Sequence, residues 1–179
     1  RMLATNENAT FDRFVRTGGY RPRPSRETLH TPSPSMDISR AANVERFLYS
    51  FLKGDSRRVR ELMVLLEDTG EFSLSAEEFA RLRRCGLSSG SSDHPNRLEI
   101  IEEMFVNHHV FVDPHTADAL YSGIILHPVG VKTLCLETVQ PVKFPRMVRA
   151  ATGHNPEWPF GYKEPPEVVT PPASHALSE

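Results

Sequence analysis

Three polar clusters in this sequence directly follow short apolar runs that have the composition of β-strands. They are Asn6-Glu7-Asn8 after residues 2–5, Asp113-Pro114-His115-Thr116 after residues 110–112, and Glu137-Thr138 after residues 132–136. Amide, carboxyl, imidazole and hydroxyl groups can all bind a ligand through hydrogen bonds. Because open α/β sheets place ligands at the carboxyl ends of their strands, these clusters are the candidate site.

His115 and Thr116 carry the most versatile groups of the second cluster. A neutral imidazole or a hydroxyl at the end of a strand could line a substrate pocket. The alternative is a turn in which the Asp113 side chain caps the helix that follows. The residues themselves leave both interpretations open.

Neither a metal site nor a phosphate loop can be identified from the spacing of residues. The histidines that come nearest to a metal-binding pattern are His94, His108, His109 and His115, but their spacing is not that of a zinc site and no carboxylate completes one. The serine-rich run at 88–92 lacks the strand, the lysine and the glycine spacing of a phosphate-binding loop. We therefore expect no metal, and a flexible polar loop over residues 88–93.

The candidate clusters need strands and helices to position them. Residues 1–38 predict a strand, a short helix capped by Thr10, and a proline-rich loop. Residues 39–109 predict a helical section, since apolar residues recur at three- and four-residue intervals. Within this section, Asp55 or Ser56 caps one helix, and Ser75 with Glu78 forms the capping box of another.

The C-terminal part of the sequence has a different pattern. Residues 110–163 alternate between β-type runs and helical stretches, which predicts a βαβα segment with parallel strands. Residues 164–179 are rich in proline, serine and glutamate, and we expect a disordered tail there. The predicted fold class is therefore α/β, with parallel βαβ elements and a helical insert.

Composition excludes several classes of function. The sequence is 39% hydrophobic and 25% charged, as is typical of soluble globular proteins. No stretch approaches the roughly 18 apolar residues of a membrane helix, and a net charge of -2 offers no field for nucleic acid. Cys85 and Cys135 lie far apart in unlike contexts, which favours a reduced protein. We expect a cytoplasmic protein that binds neither nucleic acid nor membrane.

Five segments of the sequence resemble threonine synthases in order and spacing. They are Ala4 to Asn8, Phe14 to Gly18, Ser33 to Ile38 followed by Asn43 to Arg46, Asp113 to Ala117, and Glu137 to Phe144. The resemblance extends over nearly the whole chain except the tail. The sequence departs from the family pattern at Val139-Gln140 and at Asp118-Ala119-Leu120, where smaller residues are common.

This resemblance implies the C-terminal portion of a fold-type II enzyme that uses pyridoxal 5'-phosphate (PLP). Threonine synthases convert O-phospho-L-homoserine and water into L-threonine and phosphate, the last step of threonine biosynthesis, with PLP as an electron sink. By the same resemblance, Thr138 is expected to hydrogen-bond the pyridine nitrogen of PLP. The alternative for Thr138 is a capping role at the turn after a strand. Asn6 is the second residue expected to contact the cofactor.

The residues expected to bind the substrate are Ser33, Ser35, Asp37, His115, Thr116 and Lys143. The first three belong to a loop that could bring hydroxyl and N–H groups to the substrate phosphate, although Asp37 could instead cap a helix. Lys143 is expected to form an ion pair or to face the phosphate.

Two elements of the family are absent from this sequence. In threonine synthases, a lysine in a Ser/Ala-Phe-Lys-Asp context forms a Schiff base with PLP, and a Gly-Asn-Phe-Gly-Asn loop binds the cofactor phosphate. The lysines here are Lys53, Lys132, Lys143 and Lys163, and none has that context. We therefore expect an N-terminal domain of the same protein to supply both elements as the partner of this chain, and the chain alone to be inactive. Two alternatives are a threonine synthase-like phospho-lyase, which eliminates phosphate without delivering threonine, and a non-catalytic binding protein derived from this half.

Overall fold

A computed structural model describes residues 1–38 and 40–158 of the chain. The elements of this part are β1 (Met2–Thr5), α1 (Thr10–Thr17), β2 (Gly19–Tyr20), α2 (Val44–Phe51), α3 (Ser56–Thr69), β3 (Phe72–Ser73), α4 (Ala76–Arg84), β4 (Ser88–Ser91), α5 (His94–His108), α6 (Pro114–Leu126) and α7 (Pro145–Thr152). Short 3-10 turns occur at Ser25–Glu27, Pro34–Met36 and Pro141–Lys143. None of the helices described is long and apolar enough to cross a membrane.

Side-chain caps fix where several helices begin. Asp55 accepts a hydrogen bond from the backbone of α3, and Ser75 and Glu78 form the predicted capping box of α4. The cap predicted for the first helix is wrong, because Thr10 lies inside α1 and Ala9 precedes the helix in the left-handed conformation, with φ of 50°. A single backbone turn at Ala9 thus replaces the expected side-chain cap.

The run at 88–93 contains a strand and not the flexible loop that its composition predicted. β4 pairs with β1 in parallel, with Met2 opposite Ser88 and Thr5 opposite Ser91. Serine and glycine have little intrinsic preference for strands, so the pairing with β1 determines this conformation. The predicted helical section at 39–109 therefore holds β3 and β4 as well as α2 to α5.

The parallel unit predicted within residues 110–163 has its helix but not its strands. The helix is α6, whereas residues 110–112 and 132–136 form no strand in the described part of the chain. Val112 is instead buried against Ile101 of α5 and Met147 of α7. The parallel pair of this fold is β1 and β4, joined through helices, so the predicted α/β class with a helical insert is confirmed. The predicted tail at 164–179 lies outside the described residues.

Two hydrophobic cores hold these elements together. The first joins α1 to α4 with the small antiparallel pair β2–β3, and is rich in aromatic side chains such as Phe14, Tyr20 and Phe72. The second joins α5, α6 and α7 around Ile101 and Ala117. Because β1 and β4 end between elements of both cores, their carboxyl ends are positioned by the whole domain.

Gly90 of β4 allows α6 to lie close to the strand. A Cβ added at Gly90 would lie 3.0 Å from the Oγ atom of Ser122 and 3.2 Å from the Cδ1 atom of Leu126. We expect the substitution Gly90→Ala to lower the free energy of unfolding by about 1–3 kcal/mol, since the packed side chains of Ser122 and Leu126 must shift.

The matched control is Gly123→Ala, because Gly123 lies inside α6 and its nearest neighbour would be 3.8 Å from the new Cβ. Alanine favours helix by up to about 1 kcal/mol over glycine, so this variant should be more stable than the parent. Urea unfolding measures both changes. Equal stability of Gly90→Ala and the parent would contradict the close packing of β4 on α6.

Candidate functional site

The candidate site lies at the carboxyl ends of the two parallel strands. Thr5 is opposite Ser91 in the ladder, so the segments that follow β1 and β4 leave the sheet side by side. The hydroxyl of Ser91 donates a hydrogen bond to the carbonyl oxygen of Asn6, at 3.1 Å. This is the position at which the sequence predicted a ligand site.

Asn6 is the centre of a buried polar network. Its side-chain amide donates to an Asp37 carboxylate oxygen at 2.7 Å and to the Thr31 hydroxyl at 2.9 Å, while its oxygen accepts from the backbone of Asn8 at 3.1 Å. The Asp37 carboxylate also accepts the backbone N–H and the hydroxyl of Thr31, both at 2.7 Å. Asn6 and Asp37 therefore fasten the loop at residues 31–37 to the end of β1.

The two serines of this loop have different environments. Ser33 is fully buried, and its hydroxyl lies 3.2 Å from that of Thr31. Ser35 is exposed and lines, together with Asn6, a cavity of about 300 Å³. Its backbone N–H donates to the Nε2 atom of His115 at 3.2 Å. Of the two, only Ser35 has a hydroxyl open to a ligand.

Asp113 organises the N-terminus of α6. Its buried carboxylate accepts hydrogen bonds from the backbone N–H and the Nδ1 atom of His115, each at 2.8 Å, and from the hydroxyl of Thr116. Since a backbone N–H can only donate, the contact from Ser35 leaves Nε2 as the acceptor and places the imidazole proton on Nδ1. The cap interpretation of Asp113 is thus confirmed.

The electrostatic setting of Asp113 follows from these contacts. Burial acts to raise the pKa of its carboxyl group, but the hydrogen bonds from His115 and Thr116 outweigh burial, and the pKa is lowered from the ordinary value of 3.8. The ring of Phe144 packs edge-on against His115, with centroids 5.1 Å apart. Thr116 and both ring nitrogens of His115 are therefore engaged inside the protein.

Sequence reasoning missed a buried ionic cluster beside this network. Arg97 of α5 is fully buried, and its guanidinium binds Glu7 after β1 and Asp118 of α6, the latter at 2.8 Å. Burial raises the pKa of Asp118, opposed by the hydroxyl of Ser92 and by the charge of Arg97. The signal in the sequence was an arginine four residues before Ile101, on the apolar face of a helix.

Lys143 and Thr138 are both exposed. Lys143 lines a cavity of about 350 Å³ together with Arg146 and with Pro32 of the 31–37 loop. It therefore lies next to the segment that carries the predicted serines. No hydrogen bond joins Thr138 to the other predicted site residues within the described part of the chain, so the structure does not bring Thr138 into the network.

The described residues include no group of three or more His, Cys, Asp or Glu side chains that could hold a metal ion. Among the predicted site residues, Ser35, Thr138 and Lys143 are exposed, and Arg146 is exposed beside Lys143. Hydroxyl and cationic groups of this kind bind anionic and polar ligands. The fold is that of an α/β protein with a network of polar side chains at the carboxyl ends of its parallel strand pair.

Comparison with known proteins relates the chain to one group of enzymes. No family model matches the sequence. The chain is 43% identical over 159 residues to the threonine synthase of Methylobacillus glycogenes. The aligned region covers 88% of this chain and 34% of that protein. It is 40% identical over 161 residues to the threonine synthase of Corynebacterium glutamicum, with coverages of 88% and 34%.

A solved structure gives the same relationship. The fold is similar to that of the PLP-bound threonine synthase from Brucella melitensis, with a TM-score of 0.82 and 31% identity, over 89% of this chain and 33% of that one. The chain is thus homologous to threonine synthases, as its sequence segments predicted. It spans about a third of the length of the relatives that it matches.

The Asp113 carboxylate should stabilise the fold in a way that depends on pH. Because folding lowers the pKa of Asp113, the carboxylate stabilises the folded state above its ordinary pKa of 3.8, and this contribution is lost as the pH falls through the lower folded value. We expect Asp113→Asn to reduce the free energy of unfolding by about 2 kcal/mol at pH 7. The difference from the parent should shrink in acid.

Asp93 provides the control for this prediction, since it is an exposed cap that accepts from the backbone of Asn96. Asparagine caps helices as well as aspartate does, so Asp93→Asn should change stability little at any pH. Urea unfolding at neutral and acid pH separates the two variants. A loss for Asp113→Asn that persists undiminished in acid would show that the charge is not responsible.

Proposed function

We propose that this chain is part of a threonine synthase that converts O-phospho-L-homoserine and water into L-threonine and phosphate with PLP as cofactor. The observation that carries the proposal is sequence identity to threonine synthases along 88% of the chain. The segments that resemble the family include the 31–37 loop and the N-terminus of α6, which the structure joins through Ser35 and His115. Since the chain spans a third of these relatives, the rest of the polypeptide would complete the active site.

Thr138 is the residue that we propose to contact PLP. Its hydroxyl is exposed and has no hydrogen-bond partner among the described residues, so it can face a ring nitrogen. A hydroxyl, unlike a carboxylate, does not fix that nitrogen as a full cation. When bound, PLP would supply an electron sink for the carbanion that forms as protons leave the substrate. Asn6 lines the cavity at the end of β1, and we propose it as the second residue of this chain that contacts the cofactor.

The substrate phosphate requires positive charge, and we propose that Lys143 supplies it. Lys143 shares a cavity with Arg146, and a guanidinium and an ammonium both bind phosphate oxygens strongly. Ser35 lies in the loop that borders this cavity through Pro32, and its free hydroxyl is proposed to donate to the substrate.

The other predicted substrate-binding residues are proposed to hold the 31–37 loop in place and not to contact the substrate themselves. Asp37 and Ser33 hold the 31–37 loop, while His115 and Thr116, both bound to Asp113, hold its far side through the backbone of Ser35. A loop fastened at both ends keeps the Ser35 hydroxyl in one place. Preorganised groups of this kind lower the cost of binding substrate in a reactive geometry.

The lysine that binds PLP would come from outside this chain. None of its lysines stands in the family context, so we expect the 179-residue chain alone to leave the absorption spectrum of added PLP unchanged and to release no phosphate from O-phospho-L-homoserine. Lys143 has a different proposed role. A borohydride-stable PLP adduct on Lys143 would contradict it.

The test of the function is an assay of the protein encoded by the complete reading frame that contains this chain. With PLP and O-phospho-L-homoserine, we expect threonine and phosphate to form in equal amounts. Phosphate without threonine would favour the phospho-lyase alternative. Neither product from a folded protein would overturn the proposal and favour the non-catalytic one.

In that complete protein, we expect Thr138→Ala to weaken PLP binding and to slow turnover roughly two- to thirteenfold, the effect of losing one hydrogen bond of about 0.5–1.5 kcal/mol. Thr138→Ser keeps the hydroxyl and should restore both. Thr133→Ala is the matched control, since Thr133 is exposed in the same segment. Fluorescence or absorbance titration with PLP measures the affinity, and unchanged binding by Thr138→Ala would remove this residue from the site.

A further inference from the structure

Two supports hold the loop at residues 31–37, and they come from different elements of the chain. The first is Asn6 after β1, whose side-chain amide donates to an Asp37 carboxylate oxygen at 2.7 Å. The second is His115 at the start of α6, whose Nε2 atom accepts the backbone N–H of Ser35 at 3.2 Å. The position of the loop therefore depends on where the segment after β1 lies relative to α6.

The guanidinium of Arg97 connects the two segments that carry these supports. Its Nη2 atom binds the carboxylate of Glu7, the residue that follows Asn6. Its Nη1 atom lies 2.8 Å from a carboxylate oxygen of Asp118, which follows His115 by about one turn of α6. A single planar group of α5 thus bridges the end of β1 and the start of α6.

The burial and the shape of this bridge both favour arginine. The side chains of Arg97 and Asp118 have no exposed surface, and that of Glu7 is 21% exposed, so salt screens these ion pairs weakly. A guanidinium presents its N–H donors in a fixed planar fork, whereas a lysine ammonium is a point charge on a flexible chain. The fork therefore fixes the separation of the two carboxylates, which a lysine at the same position would not.

The loop also reaches the ionic cluster directly, through Ser33. Burial raises the pKa of the Asp118 carboxyl group, and the hydroxyl of Ser33 is one of the groups that oppose this rise by hydrogen bonding. Ser33 is fully buried and lies two residues before Ser35. The carboxylate that Arg97 holds therefore contacts the loop itself, in addition to belonging to the helix that supports the loop.

We propose that Arg97 is a positioning residue for substrate binding, because it fixes both supports of the 31–37 loop and so the place of the Ser35 hydroxyl. The inference rests on the proposed function, in which this hydroxyl donates to O-phospho-L-homoserine. Arg97 itself is fully buried and does not touch the substrate. Loss of the bridge would let the loop occupy several positions, and the substrate would bind only the fraction of molecules in which the loop is correctly placed.

The substitution Arg97→Lys tests the bridge, since it keeps the charge and removes the fork. In the protein encoded by the complete reading frame, with saturating PLP, we expect the KM for O-phospho-L-homoserine to rise roughly tenfold and kcat to change by less than about twofold. The loop amides of Thr31, Ser33 and Ser35, which are hydrogen-bonded in the parent, should exchange with solvent roughly tenfold faster. A KM within about twofold of the parent value would overturn the inference.

Two further variants separate positioning from a loss of stability. Leu62→Ala removes a buried side chain of the first hydrophobic core, so it should lower the urea midpoint while KM and the loop amides stay unchanged. An equal rise in KM for Leu62→Ala and Arg97→Lys would overturn the inference. Glu7→Gln keeps the shape of the bridge and removes one charge, so its KM should rise roughly threefold. This variant provides the test if Arg97→Lys does not fold, and an unchanged KM would then contradict the bridge.

The kinetic and exchange measurements separate this inference from the proposed function. Threonine formation by the parent with an unaffected KM in Arg97→Lys would overturn the inference and leave the function standing. No threonine from the parent would overturn the proposed function, and faster exchange of the loop amides in Arg97→Lys would still support Arg97 as the residue that holds the loop. Exchange at the parent rate would overturn that role as well.

Discussion

The burial of the Arg97 guanidinium is the constraint on which the carboxyl edge of the sheet depends. Arg97 has no exposed surface, and a buried charge without partners would cost several kcal/mol. Its partners come from separate parts of the chain, Glu7 after β1 and Asp118 of α6, while Ser92 after β4 binds Asp118. These ion pairs form only when both strands and both helices are in place.

The same edge carries a second network of neutral and acidic groups, and its role is to hold a loop. Asn6 and Asp37 fasten one side of the 31–37 loop, and Asp113 fastens the other through His115 and the backbone of Ser35. Polar groups that are already hydrogen-bonded inside the protein in this way are not available to bind a ligand. Rigid support of a few free groups by a shell of engaged ones is what a precise binding site requires.

Local patterns in the sequence predicted the features that depend on neighbouring residues. The caps at Asp55 and Ser75 and the helices with an apolar period were correct, because their determinants lie within one or two turns. β4 was missed, since Ser88–Ser91 becomes a strand only through pairing with β1, 85 and more residues away. Arg97 was missed for a related reason, because its partners are distant in sequence. Val110 to Val112 has strand composition, but Val112 is buried among helices.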